Sequence, residues 1–113
     1  MDKKLEKLRS LGCDIDGALE RFMGDEQLYL ICLDEMVADK NLDMLETALE
    51  SGDGDNAFRY AHTLKGVYGN MGIKQAFKEC ADISSSLKSG SPCEQLMRSC
   101  CNIREFIEQI KAI

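Results

Sequence analysis

Toward the C-terminal end of the chain, apolar residues recur at Leu96, Cys100, Ile103, Ile107 and Ile110. Steps of three and four line up along one side of an α-helix and along no face of a strand. Leu42, Leu45 and Leu49 repeat the pattern, and Leu28, Ile31, Leu33 and Met36 give further apolar positions at helical spacing. Between such runs lie turn signals: Gly24-Asp25, "SGDGD" (51–55), Gly72 and "SGSPCE" (89–94). Leu, Ile, Met, Ala, Glu and Lys dominate, and the one proline is Pro92. Nothing in the chain asks for a strand.

These signals divide the chain into helices. Residues 1–10 form a short charged segment ended by Gly12, and Asp14 caps a second that runs through Leu19 and Phe22. Asp25 caps the next stretch, which is one long helix or two with a bend near Asp39-Lys40-Asn41. Asp55 is the expected cap of the following helix and Gly72 its C-terminal stop. A helix over Lys74–Lys88 then buries Phe77, Ala81, Ile83 or Ser84, and Leu87. Ser91 as N-cap, Pro92 at the first helical position and Glu94 beyond read as a capping box for a last helix reaching about Ala112. Short turns between long helices predict an all-α fold, an antiparallel up-down four-helix bundle. The bundle occupies about residues 25–113, with short extra N-terminal helical segments over about 1–23, in one domain of 113 residues.

Charge narrows the function. With 14 Lys and Arg against 20 Asp and Glu the net charge is −6, which leaves no basic excess to displace counterions from nucleic acid. No apolar run approaches the roughly 20 residues of a membrane span, so no membrane insertion is expected. "MDKKLEKLRS" carries no apolar segment of signal-peptide type. A cytoplasmic setting is expected, either free-standing or as part of a longer membrane protein. Cys13, Cys32, Cys80, Cys93, Cys100 and Cys101 contain no C-x-x-C pair, and reduced, core-filling thiols are expected. One histidine with scattered cysteines makes no recognisable metal-ligand set.

That histidine, His62, lies in "YAHTLKGVYGNMGI" (60–73) among glycines that cost a helix about 1 kcal/mol each relative to alanine. On a wheel of about 100° per residue, Ala57, Tyr60, Ala61, Leu64, Val67, Tyr68 and Met71 share the core arc. His62 projects opposite, with Phe58, Arg59, Lys65, Gly66 and Gly69 on the outer face. Gly66 and Gly69 clear the approach to the ring, and Arg59 and Lys65 offer cations one turn to either side. An open nucleophilic nitrogen among cations suits an imidazole that accepts a phosphoryl group. Taken alone, the same pattern also suits an ordinary surface histidine.

"AHTLKGVYGNMG" resembles the signature of histidine phosphotransfer (HPt) domains, H-x-x-K-G with a further glycine, at His62, Lys65, Gly66 and Gly72. "DIDGALERFMGDEQLYLICLDEM" and "LETALESGDGDNAFRYAHTLKG" extend the likeness over roughly residues 12–90. The resemblance implies that His62 takes a phosphoryl group from a receiver aspartate and passes it to another, with Lys65 supporting the group and Gly66 keeping the site open. Many members carry a polar residue, often Gln, on the next helix near the imidazole; this chain has Ser84, Ser85 and Ser86 there.

Phosphoryl transfer relies on in-line positioning and on metal ions that offset charge. No acidic cluster, nucleotide loop or second base stands near His62 in the sequence. No cofactor is therefore expected here, Mg²⁺ is expected on the partner receiver, and independent catalytic turnover is not. The expected partners are receiver domains of response regulators or of a hybrid sensor histidine kinase, met by a monomer. Phe58, Lys74 and Lys78 are the expected docking residues. Two other readings stay open: a docking module that carries no phosphate, and the histidine-bearing substrate domain of a chemotaxis-type kinase.

Overall fold

The expected N-terminal helix forms as α1 (Lys3–Ser10), capped by the Asp2 carboxylate, which accepts a hydrogen bond from the Lys4 N–H at 2.7 Å. The structure, a computed structural model, describes residues 2–113; Met1, the first residue of that expected segment, lies outside them. Then follow α2 (Ile15–Arg21), α3 (Glu26–Val37), α4 (Asn41–Glu50), α5 (Gly54–Met71) and α6 (Lys74–Lys88). A 3₁₀ turn (Cys93–Leu96) leads into α7 (Met97–Lys111).

Asp14 and Asp25 cap α2 and α3 through bonds from Gly17 and Leu28, as their sequence positions suggest. The bend near Asp39 is a true break: the Asp39 carboxylate accepts from the Asn41 N–H at 2.8 Å and starts α4. In the ring of four, α4 packs on α5, α5 on α6 and α6 on α7, and α7 returns to α4. Because α3 also meets α5 and α7, α3 and α4 together make one side of an antiparallel four-helix bundle. The core holds Leu33, Leu45, Leu64, Tyr68, Ile83, Cys100 and Ile103, with Leu5, Leu8 and Ile15 of the short N-terminal helices packed onto it.

Four local expectations are corrected. α5 is capped by Asp53, not Asp55, because Asp53 N–H closes back onto the Ala48 carbonyl at 2.8 Å and α5 starts at once. The Asn56 side chain and N–H both bond the Asp53 carboxylate, holding its pKa below the usual carboxylate value. Ser91, Pro92 and Glu94 do not form a capping box: Pro92 is extended, no side chain caps the segment, and the chain makes a 3₁₀ turn before α7 begins. On α3 the inner residues are Tyr29, Leu33 and Met36, whereas Ile31 is 58 % exposed and Leu28 is exposed. A bond from the Tyr29 hydroxyl to the Met71 carbonyl at 2.7 Å fixes that rotation. Phe77, expected in the core, is 40 % exposed and Ala81 and Leu87 are half-buried, while Ile83 and Ser84 are buried as expected, together with Ala76 and Cys80.

The end of α5 is tied down from several sides. Gly72 takes the left-handed conformation (φ 76°) that an L side chain resists. Its carbonyl accepts from Asp14 N–H at 2.8 Å. The Arg21 guanidinium donates to the carbonyls of Gly69 and Asn70, satisfying acceptors that a helix end leaves open. α5 is therefore anchored at both ends, at Asp53 and at Gly72.

Candidate functional site

α5 turns Ala57, Ala61, Leu64, Tyr68 and Met71 into the core, so the opposite side faces outward. His62 and Arg59 are exposed on that side, and Lys65 and Phe58 are half-buried. The Phe58 ring stacks on the imidazole one turn away, with centroids 6.1 Å apart and planes within 11°. The Phe58 ring thus borders the imidazole on the side toward the start of α5.

The two outward glycines differ. A Cβ built on Gly66 would meet nothing within 4 Å, so the space beside the imidazole is open. A Cβ on Gly69 would meet Phe77 Cδ1 at 2.9 Å. The room at Gly69 is thus filled by a side chain from α6 and serves helix packing, not the approach to His62.

That contact reveals the register of the α5–α6 hairpin. Gly69 faces Phe77, and two turns back along α5 the groove beside His62 is lined by Lys65, Ala81, Ser84, Ser85 and Lys88. Further on, Gly54 lies near Leu87. Ser84 is 7 % exposed, and its hydroxyl is buried without a hydrogen-bond partner. Lys65 borders the His62 groove together with those residues of α6; burial pushes the Cys80 thiol up to about 12, and the Lys65 charge pulls it the other way. Arg59 lines an adjoining groove with Phe58, Leu87 and Lys88, of which Phe58 and Lys88 also border the His62 groove, and its guanidinium reaches Asn56 Oδ1 at 3.5 Å.

The structure therefore brings His62, Lys65 and Phe58 together with open space at Gly66. Lys74 and Lys78 are exposed but line a groove with Phe77, Gly12 and Gln75, apart from the one that holds His62. Sequence reasoning missed Lys88 and the outward position of Phe77. The turn at Gly72-Ile73 was the available signal, since folding α5 back on α6 about it sets residue 62 against residue 84. Among the described residues, no three His, Cys, Asp or Glu side chains come together in a way that could hold a metal ion. No helix of these residues is long and apolar enough to cross a membrane.

The Hpt domain family model matches residues 27–113, from α3 to the end of α7. The chain belongs to the Hpt domain family. Its short helices α1 and α2 precede the matched region. Among solved structures it is similar to the HPT domain from the Hpt sensor hybrid histidine kinase from Shewanella. The TM-score is 0.75 at 20 % identity, over 88 % of this chain and 87 % of that one, a likeness of fold. Comparison with curated proteins gives no match. Membership of the Hpt family carries a phosphotransfer role in two-component signalling, and the geometry around His62 can be read in that light.

Proposed function

We propose that His62 accepts a phosphoryl group from an aspartate of a receiver domain and passes it to an aspartate of another receiver. The observation that carries this reading is an outward-facing imidazole, the one in the chain, beside Lys65 and open space at Gly66, in a member of the Hpt family. In the accepting step a lone pair of a neutral imidazole nitrogen attacks phosphorus. An N–P bond forms, the P–O bond to the donor aspartate breaks, and the aspartate leaves as carboxylate. Passing the group on reverses these bonds.

Phe58 lies parallel to the ring one turn away, and Gly66 leaves room for the partner's acidic pocket. A bound phosphoryl group carries close to two negative charges. One exposed ion pair with Lys65 is worth about 0.2–1 kcal/mol, enough to orient the group without trapping it. Mg²⁺ and most of the charge stabilisation then belong to the receiver. Lys74 and Lys78, with Phe77 exposed between them, would extend the docking face along α6. Partners would be receiver domains of response regulators or of a hybrid sensor kinase.

Incubation with a phosphorylated receiver tests the reading. Wild-type protein is expected to take up label that is acid-labile and alkali-stable. His62→Gln, at an exposed position, is expected to take up none while its far-UV circular dichroism stays unchanged. Uptake persisting in the variant contradicts the assignment.

A further inference from the structure

We propose that Lys88, at the end of α6, is the second cation that holds the phosphoryl group on His62, opposite Lys65, and that Arg59 is not. This rests on His62 being the phosphoacceptor. Wheel geometry favours Arg59, which is three residues before His62 on the same helix. The structure distinguishes them: Arg59 lines only the neighbouring groove beyond Phe58, and its guanidinium reaches Asn56, whereas Lys88 borders both that groove and the one that contains His62.

Three further observations agree. Lys65 and Lys88 come from different helices and border one groove, so two cations can approach a phosphoryl group from two sides. Among the described residues, neither lysine is held in an ion pair with a carboxylate, while Lys4, Arg9, Arg104 and Lys111 are. Lys88 also sits in the last turn of its helix, where the exposed carbonyls favour a cation and keep it near the groove. Ser84, whose buried hydroxyl has no hydrogen-bond partner, lines the same groove.

Phosphoramidate, a small phosphoryl donor, isolates this seat from docking. The N–P bond to His62 forms as the donor's P–N bond breaks and its nitrogen leaves as ammonia. Uptake rates on wild-type protein, Lys88→Gln, Lys88→Arg and Arg59→Gln are compared at low salt and in 1 M salt. Lys88→Gln is expected to slow uptake about two- to fivefold at low salt, the size of one exposed ion pair. High salt should erase that difference, since surface charges are then screened within about 3 Å. Lys88→Arg restores the rate, and Arg59→Gln stays at the wild-type rate. If wild-type protein accepts on His62 while Lys88→Gln is unchanged, or Arg59→Gln is the slow variant, the Lys88 assignment falls and the phosphoacceptor stands. If wild-type protein gains no phosphoryl group at His62 from phosphoramidate or from a receiver, both fall.

Discussion

Gly66 and Gly69 are three positions apart on α5 and answer to different demands. Gly69 makes way for Phe77, so its missing side chain contributes to packing. Gly66 faces nothing, so the fold gains nothing from it. Replacing a helix-interior glycine by alanine recovers about 0.5–1 kcal/mol. Gly66→Ala is therefore expected to be more stable than wild type by that amount in urea unfolding, yet slower to accept a phosphoryl group from a receiver. A variant both more stable and equally fast would show that the open space has no functional use. At this scale the outward position of His62 was legible, because the apolar arc of α5 is broad and leaves little choice of rotation. The position of Phe77 was not, since an aromatic residue reads as core until the glycine it lies across is located. Lys88 stayed hidden for a similar reason: its neighbour is on another helix.

The helices themselves are set by their ends. Residues Asp14, Asp25 and Gly72 announced boundaries that the structure keeps, because each acts through its own nearby backbone. Elsewhere local chemistry did not decide. Asp55 suits a cap by residue type, but the closing of α4 onto Ala48 starts α5 earlier and makes Asp53 the cap. Ser91-Pro92 could cap a helix, but Cys93 and Leu96 are buried and the segment between them is a 3₁₀ turn. Gly72 is the most constrained of these ends. Any Cβ there would collide with the Asp14 carbonyl oxygen, besides occupying a left-handed backbone. Gly72→Ala is expected to lose more than about 1 kcal/mol and to melt at least about 4 °C lower. An unchanged melting temperature would mean that α2 does not dock on the end of α5 as described.

Across the whole molecule, the thiols report on the packing of the bundle. Burial pushes Cys13 up to about 11 and both Cys80 and Cys100 up to about 12, so at neutral pH they stay protonated inside the core. Cys101 is exposed on the neighbouring position of α7. Iodoacetamide at pH 8 is expected to label Cys101 first, and Cys13, Cys80 and Cys100 only after denaturant, as read by peptide mass spectrometry. Early labelling of Cys80 or Cys100 would contradict the α5–α6–α7 packing. The composition made the all-helical bundle legible, but the order of exposure among adjacent cysteines needed the rotation of α7. The most direct check of the central idea is a ³¹P–¹H correlation spectrum of the protein after exposure to a phosphorylated receiver. Phosphorus coupled to the ring protons of His62, at one group per chain, is the predicted result. Phosphorus bound at any other residue, or no bound phosphorus, would contradict it.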